Sequence, residues 1–162
     1  MPYSFRPFRL EDAEDLADLT VAAIRAVGSQ RYSPKQVEAW AARHPSPKRF
    51  IERARKGDWI WLAVNSVDKA VAYALLEEAP EHAGHLDMLY CHPDHTRKGL
   101  ADALLTRAEI HAKECANVRL FTEASELARA SFERAGYKIV ERRDFEIEGT
   151  AIHNYAMEKH LN

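Results

Sequence analysis

Hydrophobic positions along the chain change period several times, and each change marks an element. From Tyr3 to Arg9 the side chains alternate, with Tyr3, Phe5 and Pro7 set against Ser4, Arg6 and Phe8. This predicts a first strand, and Pro7 places it near a sheet edge. Glu11, Asp12, Glu14 and Asp15 then crowd a helix start, where carboxylates favour the positive end of the macrodipole. Ala13, Leu16, Ala23 and Val27 recur at helical spacing, and Gly28 ends the run. Ser33-Pro34-Lys35-Gln36 is a capping box with proline in the first helical position, opening a short helix through Trp40. Ser46-Pro47 repeats the device, and Gly57 closes that helix.

The period then shortens. Asp58 to Asn65 alternates Trp59, Trp61 and Ala63 with Ile60, Leu62 and Val64; both faces are apolar, which predicts a central strand. Ala70–Leu76 is its hairpin partner, Glu77–Gly84 reads as a polar loop, and His85–Cys91 as another strand. The loop Pro93–Gly99 runs into a helix whose buried stripe holds Leu100, Ala101, Leu104, Leu105, Ala108 and Ala112. Val118–Thr122 is a short strand. Ser125 caps a helix with Ala128, Phe132 and Ala135 turned inward, ended by Gly136. Tyr137–Ile147 and Ala151–Lys159 form a last strand pair. The whole of 1–162 reads as one α/β domain on a mixed sheet.

Composition narrows the function classes. The chain has 23 Lys and Arg against 25 Asp and Glu, a formal net charge of −2, and no basic stripe, which argues against nucleic acid as a partner. Trp40, Trp59 and Trp61 are not interleaved with Lys or Arg as a base-stacking platform would be. Cys91 and Cys115 form no CxxC pair and no disulfide framework. No apolar run approaches the roughly 20 residues of a membrane span, and Met-Pro-Tyr-Ser-Phe-Arg has no secretory apolar region. A cytoplasmic, reducing compartment is expected.

The most informative stretch is His85 to Leu105. A strand ends at Cys91, Pro93 stops its pairing, and Gly99 sits where a loop tightens into a helix. The first N–H groups of a helix have no internal partners and carry the positive end of its dipole, so they suit phosphate. Arg97 and Lys98 add charge at the rim, and Gly99 and Ala101 keep side-chain bulk away from the backbone. On spacing alone, a plain strand–loop–helix connection remains an alternative.

This loop, Thr96-Arg97-Lys98-Gly99-Leu100-Ala101, resembles the acetyl-CoA motif Gln/Arg-x-x-Gly-x-Gly/Ala of the GNAT superfamily, with Thr96 departing at the first slot. Ala124-Ser125-x-x-Ala128-x-x-x-Phe132-x-x-x-Gly136-Tyr137 resembles the family's second motif, and Phe5-Arg6-Pro7-Phe8-Arg9-Leu10-Glu11-Asp12 its opening strand and helix. Arg31–Trp40 and Asn154–Lys159 are similar to one bacterial subgroup of uncharacterised acetyltransferases. The resemblance implies a mixed, mostly antiparallel sheet of six to seven strands flanked by helices and splayed between the fourth and fifth strands. It implies acetyl-CoA as acyl donor, with its arm pairing along Leu89, Tyr90 and Cys91, its phosphates on Thr96–Ala101, and Ser125, Ala128 and Phe132 lining its channel. An amine then attacks the thioester directly.

Such an attack needs a proton acceptor. His85 and Asp87 lie two apart on one strand, hence on one face. In the resembling family these slots often carry carboxylates or histidines. The expectation is that His85, titrating near neutrality, acts alone or oriented by Asp87, with Glu123, just past its strand, as a further candidate. The family's usual acid, a Tyr four residues before the second-motif Gly, is Phe132 here. Tyr137 and Tyr155 are the alternatives, or the thiolate leaves unassisted. Tyr32 and Trp40 either wall the acceptor site or pack in the core, and Tyr155 is grouped with them as a substrate contact. Cys91, His92 and His95 look metal-like, but adjacent strand residues chelate poorly, so no metal is expected. The readings carried forward are a transferase for a small-molecule or peptide amine, a CoA-binding sensor that has lost catalysis, and a transferase for a macromolecule. A homodimer is left open.

Overall fold

The computed structural model describes residues 2–162; the side chain of Val27, counted above in a helical stripe, lies outside the described residues. Strand β1 (Ser4–Pro7) leads through a single 3-10 turn into α1 (Ala13–Gly28), α2 (Pro34–Ala41) and α3 (Pro47–Lys56). Then come β2 (Trp59–Val64), β3 (Ala70–Ala79), β4 (Ala83–Cys91), α4 (Leu100–Glu114), β5 (Arg119–Ala124), α5 (Arg129–Arg134), β6 (Lys138–Ile147) and β7 (Thr150–His160). The starts of α2 and α3 follow their sequences: the Ser33 and Ser46 hydroxyls accept the N–H of Gln36 and Arg49, and Gln36 returns the bond to Ser33 N–H.

Among the described residues seven strands form one sheet in the order β1-β2-β3-β4-β5-β7-β6. Every neighbouring pair is antiparallel except β4 and β5, which α4 connects as a parallel pair. One face carries α4 and Phe132, with Leu86, Leu104, Leu120 and Met157 in its core. The other carries α1 and α3 over Leu16, Phe50, Tyr73 and Met88.

Two expected boundaries move. The polar loop set at Glu77–Gly84 is mostly strand: Glu77, Glu78 and Ala79 pair with His85, Gly84 and Ala83, which leaves a three-residue turn. Charged side chains made it look like loop, but partners answer them: Glu77 meets the cations Arg53 and His85, and the Asn117 amide donates to Glu78. Glu123 likewise lies inside β5 rather than past its end. The Ser125 hydroxyl accepts the N–H of Ala128 one turn before α5 begins, so it organises the approach to that helix.

A bulge in β4 sets up the site. Leu75 pairs with Met88 and Leu76 with Leu86, which leaves Asp87 as an extra residue. Leu86 enters the core under α4, whereas Met88 enters the core under α1 and α3. The bulge therefore resets the alternation: Leu89 and Cys91 pack toward the α4 side and Tyr90 toward the α1 side.

Candidate functional site

Strands β4 and β5 stay paired only from Ala83↔Arg119 to Leu86↔Thr122. At the last rung the Thr122 hydroxyl donates to Leu86 carbonyl at 2.8 Å. Beyond it the strands part, and the β5-facing edge of Asp87–Cys91 has no strand partner. A cleft of about 310 Å³ occupies this gap, lined by Leu89, Tyr90, Cys91, Thr96, Ala101, Ser125, Ala128 and Phe132 among others.

The loop ahead of α4 has the shape that phosphate needs. Arg97 and Gly99 adopt left-handed backbone, φ +60° and +76°. A side chain at Gly99 would meet no protein atom within 4 Å, so the space above it is open. Ala103 N–H is already bonded to Gly99 carbonyl, and the N–H groups before it are the ones a helix start leaves free. Leu100 is buried, so its backbone is what it offers; Arg97 and Lys98 stand exposed at the rim. The Thr96 hydroxyl is spent inside the loop, on Pro93 carbonyl. Open backbone above a glycine, an unpaired strand edge and an apolar wall together fit the arm and phosphates of acetyl-CoA.

At the fork of the strands stands His85, stacked on Phe121 with ring centroids 4.7 Å apart. Its Nδ1 donates to Glu77 at 2.7 Å and its Nε2 to Glu123 at 2.8 Å. Ionised carboxylates only accept, so both bonds require an imidazolium. Burial opposes that charge, but the Glu123 and Glu77 carboxylates outweigh it and raise the His85 pKa to about 9. The expectation of a base titrating near neutrality is corrected accordingly. So is the pairing of His85 with Asp87: the Asp87 carboxylate accepts from Arg53 Nη1 at 2.8 Å.

Arg53 was not singled out in the sequence. It is buried on α3, bonded through Nε to Asp58 and through Nη1 to Asp87, with Nη2 3.2 Å from Glu77 but not aligned as a hydrogen bond. Its spacing of three residues from the buried Phe50 was the available signal. Glu77, His85 and Asp87 lie close enough together to resemble a metal-binding group, yet the Arg53 guanidinium already neutralises two of the three.

The remaining predicted residues divide. Trp40 lines the cleft and two further hollows beside it. Tyr32 lines one hollow, donates to His153 carbonyl and accepts the N–H of Glu126. Phe132 is buried edge-on to Tyr137 at the cleft wall. Tyr155 and Tyr137 line neither the cleft nor these hollows. Tyr155 donates to Glu126 and Tyr137 to Glu109.

Comparison with known proteins agrees with this geometry. Residues 29–159 match the family model described as an acetyltransferase (GNAT) domain. The uncharacterised N-acetyltransferase YafP of Escherichia coli K12 is 30% identical over 152 residues, 94% of this chain and 92% of that protein. A GCN5-related N-acetyltransferase structure from Rhodopseudomonas palustris covers 99% of this chain and 97% of its own, with a TM-score of 0.87 and 30% identity. PaiA N-acetyltransferase from Thermoplasma acidophilum, solved with coenzyme A, shares the fold at a TM-score of 0.81 and 18% identity, covering 99% of this chain and 100% of its own. The chain belongs to the GNAT family of acetyl-CoA-dependent N-acetyltransferases.

Proposed function

We propose that the chain transfers acetyl from acetyl-CoA to a primary amine by direct attack within a ternary complex. The observation that carries this reading is His85, held between Glu77 and Glu123 where β4 and β5 part. The donor lies along the free edge of Leu89–Cys91 with its phosphates on Thr96–Ala101, and Ser125, Ala128 and Phe132 wall its arm. The acceptor enters from the side of Tyr32 and Trp40.

The amine arrives as an ammonium ion. Once His85 is neutral, the Glu123–His85 pair takes one proton, and the Glu77 carboxylate keeps the ring oriented. The nitrogen then bonds the thioester carbon, the C–S bond breaks, and sulfur leaves as thiolate. The second proton, shed by the new amide nitrogen, reaches the sulfur through solvent; Phe132 supplies none. Asp87, tied to Arg53, positions the strand bulge rather than accepting a proton. A base with a pKa of about 9 is well matched to an ammonium ion. The reading is tested by thiol release from acetyl-CoA against a panel of primary amines across pH. Amine-dependent release should rise with pH through about 9. Release no faster than hydrolysis with every amine overturns it.

A further inference from the structure

We infer that the acceptor amine also carries an anionic oxyacid group, a carboxylate or phosphonate, received by Arg43 and Arg49. The inference rests on the transfer reading above and names the substrate class of that same site. Two hollows of about 520 and 330 Å³ open on the acceptor side of the strand fork. They share Trp40, Arg43, Asp87 and Tyr90, and Arg49 lines the larger. This space suits a molecule of amino-acid to dipeptide size.

The charges in these hollows are not balanced. Each carboxylate that lines them is already answered by a protein cation: Asp87 by Arg53 at 2.8 Å, and Glu123 by His85 at 2.8 Å. Neither Arg43 nor Arg49 has a side-chain partner among the described residues. Other arginines nearby are occupied, Arg25 by Glu38, Arg129 by Glu126 and Arg142 by Asp144. His44 spends its Nδ1 on Ala41 carbonyl, and His153 spends its Nε2 on Glu126. The free charge of the acceptor space is therefore positive and sits on two guanidiniums, whose fork geometry suits oxyanions. A simple cationic amine would instead meet two guanidiniums of its own sign there. An amine with an acidic group would be anchored at Arg43, with its nitrogen directed toward the His85 end of the fork.

The test uses matched pairs: an amino acid against its carboxamide, and an aminoalkylphosphonate against the corresponding alkylamine. Binding to the CoA-loaded protein is measured by calorimetry, and kcat/KM by thiol release, both corrected for the fraction of free amine. In at least one pair the acidic member should bind and react about tenfold or more better, the scale of a charge-assisted Arg–oxyanion contact. The pair that discriminates identifies the oxyacid. Arg43→Gln should bring that ratio close to one, whereas Arg55→Gln, exposed on α3 outside both hollows, should preserve it. Equal binding within both pairs overturns the inference, as does a ratio that survives Arg43→Gln. Thiol release that fails with every amine counts against the transfer reading instead, because the binding ratio still reports on the pocket.

Discussion

The two halves of β4 use the same kind of backbone for opposite ends. From Ala83 to Leu86 the strand is paired on both edges, to β3 and to β5, and that pairing sets Leu86 in the core and His85 at the fork. From Asp87 to Cys91 only the β3 edge is paired. Buried backbone groups need partners, so the free edge is a standing invitation to an extended ligand. The dividing line is one residue wide. The Asp87 bulge, the last rung at Leu86–Thr122 and the His85 triad all fall within three residues of it. Pairing fixes where the His85 ring stands, and its absence leaves backbone groups free beyond it.

The sharpest way to break this comparison is at the fork. His85→Gln removes the proton carrier, so kcat/KM should fall by about 10²–10⁴ at neutral pH, and the limb near pH 9 should vanish from the rate profile. Retention of both rate and limb would leave the proton path elsewhere.

Arg53→Met tests the support from α3. It leaves Asp87, Asp58 and Glu77 without their shared cation, and loss of one partner from a buried ion pair costs about 3–5 kcal/mol. Chemical denaturation at pH 7 should show that loss.

His85 also links stability to pH. Its folded pKa is raised to about 9, above its ordinary 6.5. The stabilisation is thus complete below about pH 6.5 and is lost as pH rises through about 9. The difference amounts to about 3 kcal/mol, read as the pH dependence of unfolding in the native chain minus that in His85→Gln. Activity and stability therefore run in opposite directions across the same window. A flat difference between the two proteins would show that His85 is not held as a cation.

Effects at the donor end should be smaller on folding and confined to binding. Gly99→Glu puts a carboxylate above the proposed phosphate loop and a side chain into left-handed backbone, so acetyl-CoA affinity should drop about tenfold or more in calorimetry. Smallest of all, Phe132→Tyr should leave kcat unchanged or raise it slightly, since the ring already lines the cleft. A large loss in the folded variant would show that the ring is not beside the sulfur.

The donor end was legible from the chain because its chemistry is local. In the proposed reading Thr96–Ala101 holds phosphate through consecutive backbone groups, and a glycine, a proline and the helix that follows report that geometry within a dozen residues. The same holds for the serine caps of α2 and α3 and for the order of strands and helices. The acceptor end was only partly legible. His85, Asp87 and Glu123 stand out as residue types, but spacing along one strand pairs His85 with Asp87, whereas the fold pairs it with Glu77 and Glu123. Glu77 was hidden in an apparent loop, and Arg53 was one of five cations on a short helix. Which carboxylate His85 meets depends on how β3 and β5 register against β4, and on a bulge that shifts the alternation by one residue. Those are contacts across 8, 34 and 38 positions of sequence. The chain alone determined the glycine turn that leads into α4, because that requires only neighbours in sequence. Tertiary structure decided which ions face one another, because a charge is neutralised or left free by whatever folding brings within a few ångströms of it.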